Sequence, residues 1–241
     1  MRFTRRALYR AFTLLFSLPV FGGVTMQTSH PQRIGIIGAG WLGGTVGRMW
    51  VEAGHEVMFS SRHPEQLAAM AKRSGPRASV GSLRQAGEFG SIILISVPYD
   101  ALPQIGIDLQ DALTGKIVLD ACNPAMSNNG ALAREAMELG VARCSAKYLP
   151  GTRLVRAFSA VDATDVEASA RRGSNKLGVP IASDDTEAIK VVAQLALDAG
   201  CEPVIVGDLA SATRFQRHGP GFRANTTALE LRRLLGLSAN A

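Results

Sequence analysis

The stretch from Arg33 to Arg62, RIGIIGAGWLGGTVGRMWVEAGHEVMFSSR, contains a strand, a glycine-rich turn, a helix and a second strand in that order. The apolar run Ile34 to Ile37 ends at Gly38-Ala39-Gly40-Trp41-Leu42-Gly43, which satisfies G-x-G-x-x-G. Gly38 permits the tight turn, Gly40 leaves room for the backbone to approach a pyrophosphate, and Gly43 lets the following helix lie close to the strand. A helix over Leu42 to Ala53 is expected to start there, with unpaired N–H groups and its positive dipole end facing the phosphates, and to stop at Gly54. The second strand, Glu56 to Phe59, follows at once. The motif alone is weak, but in this context it predicts dinucleotide binding.

The end of the second strand refines the ligand. A site for NAD usually places an Asp or Glu about twenty residues after the glycines, where it accepts hydrogen bonds from the ribose 2′-hydroxyl. Here the chain offers Ser60, Ser61 and Arg62, and no acid before Glu65. A carboxylate would repel a 2′-phosphate, whereas two hydroxyls and a guanidinium would hold one. The expected cofactor is therefore NADP(H).

Outward from this unit the alternation continues. A helix from His63-Pro64-Glu65 to Lys72, a strand over Ala78 to Gly81 and a short helix capped by Ser82 are expected in turn. Ser91 to Val97 is an apolar run of the kind buried on both faces of a parallel sheet, followed by a helix over Asp100 to Leu109 and a strand over Lys116 to Asp120. Next come a helix from Gly130 to Leu139 and a strand from Leu154 to Ser159. A strand over Asn175 to Ala182, a helix over Thr186 to Ala199, a strand over Pro203 to Val206 and a helix over Thr226 to Leu235 complete the chain. Strands alternating with helices predict an α/β fold, a Rossmann-type doubly wound and mostly parallel sheet. Ligands of such sheets bind beyond the carboxyl ends of the strands. That rule selects the glycine loop, Ser60 to Arg62, Val97-Pro98-Tyr99, Asn123-Pro124 and Ala157 to Ser159.

The 241 residues are 46% hydrophobic and 19% charged, which leaves ample core for a domain. Of the net charge of +6, four units come from Arg2, Arg5, Arg6 and Arg10, in a leading segment without acids. No basic patch studded with aromatics follows, so nucleic acid is not an expected partner. Cys122, Cys144 and Cys201 lack metal-ligand spacing and lie in or beside apolar runs, as buried thiols do. Thr4 to Arg10, TRRALYR, resembles the twin-arginine export motif and precedes an apolar stretch, Ala11 to Val24, too short and broken to span a membrane. Residues 1–30 are thus expected to be a signal-like segment directing export through the twin-arginine machinery to the periplasm, and residues 31–241 a single nucleotide-binding domain. The alternative is initiation at Met26 and a cytoplasmic location.

Several blocks in register sharpen the picture: I-G-I-I-G-A-G-x-L-G-G, A-G-H-E-V-x-x-S-S-R, S-V-P-Y, D-A-x-N-P, L-P-G-x-R-x-V-[KR]-A-F and A-S-D-D. From Arg33 to about Gly221 the chain resembles the F420-dependent NADP reductase family. The resemblance implies a Rossmann domain with a small C-terminal lobe and reversible hydride transfer between NADP(H) and coenzyme F420, a deazaflavin. The same family includes flavin or metal reductase modules, such as the cytosolic domain of membrane ferric reductases, so a flavin acceptor is also implied. By motif, Ala39, Gly40, Trp41 and Leu42 would line the pyrophosphate, and Ser61 and Arg62 would hold the 2′-phosphate. Val97, Ala101, Asn123 and Ala157 match positions around the adenosine and nicotinamide. Three residues depart from the pattern. Gln66 replaces a position that can supply a cation, Ser159 stands where Asn or His is common near the nicotinamide, and Trp41 replaces a small residue or Asn.

No Ser-Tyr-Lys set, His–Asp pair or metal cluster is legible. Hydride transfer between stacked rings needs proximity and orientation more than a proton donor, so no catalytic acid or base is assigned. The expected partners are a small redox substrate and a second copy of the chain. Competing readings are a reductase of a small imine or keto acid and a non-enzymatic NADP sensor.

Overall fold

The computed structural model describes residues 30–125 and 130–238; most of the expected export segment lies outside the described residues. Eight strands form one sheet in the order β3-β2-β1-β4-β5-β6-β7-β8. They are β1 (Arg33–Ile37), β2 (Glu56–Ser60), β3 (Ala78–Gly81), β4 (Ile92–Ile95), β5 (Ile117–Asp120), β6 (Arg153–Arg156), β7 (Gly178–Ala182) and β8 (Glu202–Gly207). The first six run parallel. β7 meets β6 in the antiparallel sense through Arg156 and Ala182, and β8 is parallel to β7. The carboxyl ends of β1 to β6 therefore share one edge, and those of β7 and β8 face the other way.

Ten α-helices accompany the sheet among the described residues: α1 (Trp41–Glu52), α2 (Ala68–Ser74), α3 (Leu83–Phe89), α4 (Leu102–Asp108), α5 (Gln110–Leu113), α6 (Ala131–Leu139), α7 (Val141–Tyr148), α8 (Ala163–Ala170), α9 (Thr186–Asp198) and α10 (Ala228–Leu234). Local chemistry starts α3 as expected. Ser82 Oγ accepts from Gln85 N at 3.2 Å while Gln85 Oε1 accepts from Ser82 N at 2.8 Å, a reciprocal cap. The strands β1, β4 and β5 are buried almost throughout, which separates the core into two layers. On one face Trp50 of α1 is fully buried, donates from Nε1 to Leu195 O at 2.8 Å and meets Phe158 edge-on at 5.9 Å. It thereby ties α1, α9 and the β6 end together. On the other face Tyr99, Leu102, Cys144, Phe215 and Leu231 make a second core.

Three helices were not expected, the first being the single turn α5 that follows α4 after Leu109. The chain between Leu139 and Leu154 forms α7 after Gly140, whose φ of 85° breaks α6. Its buried side, Val141, Ala142, Cys144 and Ser145, recurs over only eight residues, too short a span for the sequence to separate a helix from a loop. The same applies to α8, which buries Ala163, Val166 and Ser169. The helix expected from His63 begins as a 3-10 turn, Pro64–Leu67, and the strand expected from Asn175 starts only at Gly178.

Candidate functional site

The glycine loop is held from below. Gly38 N and Ala39 N both donate to Ser60 O, at 3.1 and 2.9 Å. Gly38 has φ 96°, and a Cβ there would lie 2.3 Å from Ser96 O, so the turn against β4 admits only glycine. At Gly40 a Cβ would meet nothing within 4 Å. That position is an open cradle at the start of α1, where Trp41, Leu42 and Gly43 carry N–H groups without intrahelical acceptors and no acid stands in the first turn. An anion placed there meets oriented donors and a favourable dipole, so these residues fit a pyrophosphate.

Ser60 corrects one expectation. Its side chain is fully buried and its Oγ donates to Ile36 O at 2.6 Å, so the hydroxyl supports the loop and does not face a 2′-phosphate. Ser61 is half-buried and its Oγ accepts from His63 N at 3.0 Å, while Arg62 is exposed. Both line a cleft of about 410 Å³ with Pro64, Ser82, Leu83 and Ile105. The other guanidinium in that cleft, Arg84, is engaged by Asp111 at 2.9 Å and by Asp108 O at 2.6 Å. Among the described residues, Arg62 is the cation of that cleft without a hydrogen-bond or ion-pair partner. Beside it a cleft of about 250 Å³ between α1 and α2 is walled by Trp41, which is 71% exposed, and by Arg73. Gln66 is exposed on the 3-10 turn.

The ends of β4, β5 and β6 have a different construction. Val97 is half-buried with its N–H towards Cys122 Sγ at 3.5 Å, Pro98 is exposed and Ala101 is half-buried. Asn123, also half-buried, is fixed at both ends of its amide. Its Oδ1 accepts from Arg156 Nη2 at 2.8 Å and its Nδ2 donates to Ser159 O at 2.7 Å. Arg156 in turn donates from Nη1 to Asp120 Oδ2 at 2.6 Å, with side chains 1% and 0% exposed. Asp120 Oδ1 also accepts from Cys122 N at 2.9 Å. Phe158, at φ 58°, is the one non-glycine residue of these strand ends in the left-handed region, a strained conformation the surrounding packing maintains. Ala157 is sealed, and Ser159 is 4% exposed with its Oγ enclosed and unpartnered. A direct contact of the Ser159 hydroxyl with a ligand in the open cleft is therefore not present in this arrangement.

The buried pair Asp120 and Arg156 is absent from the residues selected on sequence. A signal existed: each is a charged residue closing a short strand whose inner positions are apolar, and a charge so placed needs a partner. Cys122 is unsuited to nucleophilic or redox work, because burial pushes its thiol well above the usual range. Burial likewise raises the Tyr99 phenol, whose oxygen lies 3.3 Å from Val141 O and from Ser145 Oγ. His55 sits at the opposite edge, accepting from Gln32 N at 3.0 Å and pairing with Asp198 at 3.0 Å. No metal-binding group of side chains occurs among the described residues.

The C-terminal segment closes over the β6 end. Arg223 N donates to Ala160 O at 2.9 Å, one residue beyond Ser159. Asp162 then receives Arg223 Nη2 at 2.6 Å and Asn225 Nδ2 at 2.8 Å. Burial works against the charge on Asp162, but these two partners hold its carboxyl below the ordinary range.

With this geometry in place, comparison with known proteins is informative. Residues 33–124 match the family of NADP oxidoreductases described as coenzyme F420-dependent. The chain is 28% identical over 195 residues to metalloreductase STEAP3 of Rattus norvegicus, covering 79% of this chain and 37% of that protein. It thus spans little more than a third of that relative's length. Among solved structures, a hypothetical protein of Sinorhizobium meliloti, SMa0349, superposes with a TM-score of 0.67 and 26% identity, covering 80% of this chain and 93% of the other. A chain from Arthrobacter sp. FB24, described as a candidate F420-dependent NADP-reductase, gives a TM-score of 0.60 at 18% identity, over 76% and 87% of the two chains. At that identity the likeness concerns the fold alone.

Proposed function

We propose, from the membership of residues 33–124 in the F420-dependent NADP oxidoreductase family, that this chain binds NADPH along the glycine-loop edge and reduces a planar deazaflavin or flavin acceptor. The observation that supports the cofactor reading best is the pairing of the open cradle at Gly40 with an unpartnered Arg62 at the end of β2. The backbone N–H groups of Trp41, Leu42 and Gly43 would bind the pyrophosphate, and Arg62 with Ser61 the 2′-phosphate. When bound, NADPH supplies the hydride.

The remaining work of the chain is positioning. Asn123, fixed by Arg156 and Ser159, braces the ends of β5 and β6 and keeps the floor beneath the nicotinamide end rigid. The STEAP3 relationship favours an electron-delivering module over an imine or keto-acid reductase. The twin-arginine-like segment is read as an export signal within the same proposal, and N-terminal sequencing of the native protein tests it: a start at Met26 would remove it.

The deciding assay follows NADPH oxidation by the purified chain with F420, FMN, FAD or a ferric chelate as acceptor. Turnover with a ring acceptor is expected. Tight NADPH binding with silence towards all of them would leave the sensor reading in its place.

A further inference from the structure

The stretch Arg214 to Arg223, RFQRHGPGFR, contains three arginines and a histidine and no acid. It is built as a fixed strap. Gly219 N donates to Gln216 O at 2.8 Å, Gly221 N to Arg214 O at 2.9 Å and Phe222 N to Gly219 O at 3.1 Å. Gln216 Oε1 accepts from Val141 N at 2.9 Å, which fastens the strap to α7. His218 and Arg223 adopt left-handed backbones, with φ 72° and 51°, so the path of the strap is imposed by its surroundings.

Two of its arginines have partners. Arg223 pairs with Asp162, and Arg214 donates to Leu235 O at 3.2 Å. Arg217 differs. Its guanidinium carbon lies 5.1 Å from the centre of the Phe222 ring, within reach of a cation–π attraction. The side chain is half-buried, its Nε is sealed from solvent without an acceptor, and none of its donors has a recorded partner among the described residues. A partly desolvated cation without a counter-charge is unfavourable in isolation. The same group, set over an aromatic ring with its donors idle, is well formed to receive a phosphate. Phe222 precedes Arg223, whose N–H is bonded to Ala160 O one residue past Ser159, so the strap lies against the β6 end, on the edge of the sheet where the acceptor is proposed to dock.

We infer that Arg217 is the anion-recognition residue of the acceptor subsite and binds a phosphate group carried on the tail of the planar acceptor. The inference rests on the proposed reading that such an acceptor docks at this edge. FMN and riboflavin share one ring and differ by a phosphate, so they isolate the effect. Flavin fluorescence titrations of the full chain with saturating NADP⁺ are expected to show FMN binding about tenfold more tightly than riboflavin, ~1.4 kcal/mol. Arg217→Gln should bring FMN down to the riboflavin value while leaving riboflavin and NADPH affinities unchanged, and inorganic phosphate should compete with FMN only when Arg217 is present. Arg217→Lys should keep part of the preference through its charge. Equal affinity of the wild-type chain for the two flavins, or an Arg217→Gln loss shared by riboflavin or NADPH, would overturn the inference alone. A wild-type chain that neither binds nor reduces any ring acceptor would remove the acceptor reading as well.

Discussion

The two ends of the ligand-binding edge are made of different material. At the glycine-loop end the working groups are backbone N–H donors and exposed side chains, and the support is a single carbonyl, Ser60 O, receiving Gly38 N and Ala39 N. At the β5–β6 end the working surface is a half-buried amide, Asn123, resting on the sealed Asp120–Arg156 pair. The first end can lose ligand affinity without losing fold. The second couples the two, because a buried ion pair with one member removed leaves an uncompensated charge.

Substitutions can break that contrast, and the largest effect belongs to the second end. Arg156→Met should destabilise the chain by about 3–5 kcal/mol, because Asp120 is left buried without its partner; urea unfolding measures it. Adding Asp120→Leu should recover much of the loss, and no recovery would show that the pair is not the source. At the first end, Arg62→Ala should weaken NADPH by about 1.5–3 kcal/mol, the range for hydrogen bonds to charged groups, and leave NADH nearly unchanged. Equal losses for the two cofactors would remove Arg62 from the 2′-phosphate. Gly40→Ala sharpens the comparison further. Its Cβ meets no protein atom within 4 Å, so the unfolding midpoint should stay put while NADPH affinity drops about tenfold.

The smallest effect concerns the opposite edge. Asp185 caps α9, and its hydrogen bond from Arg153 at 2.6 Å together with that from Ala188 N lowers its pKa from 3.8 to about 2. A carboxyl whose folded pKa is depressed contributes stability that is complete above the unfolded value and fades as pH falls through the folded one. Thermal melts should therefore show a small loss from pH 4 towards pH 2 that Asp185→Asn lacks, with no change in NADPH binding at neutral pH.

Legibility in the sequence followed the same division. The glycine loop, α1 and the alternation of strands with helices were readable because they depend on backbone conformations and on apolar runs that residue types report directly. Ser60 was misassigned because its hydroxyl and its carbonyl both turn inward, which a position at a strand end does not reveal. Asp120 and Arg156 sit 36 positions apart and become partners only through the β5–β6 pairing. The helices α7 and α8 are only eight residues long each, and so short a span does not separate a helical period from a loop.

The chain has two tryptophans, and their placement makes it a ready-made optical instrument. Trp50 is fully enclosed, with its indole bonded and meeting Phe158 edge-on in the core, so its emission should stay blue-shifted until the fold opens. Trp41 stands 71% exposed at the mouth of the phosphate cradle. Its emission overlaps the absorption of a reduced nicotinamide, so quenching by energy transfer would report cofactor occupancy in real time. Trp50 lies about 14 Å further along the same helix and would be quenched too, so Trp41→Phe is the variant that separates the two signals.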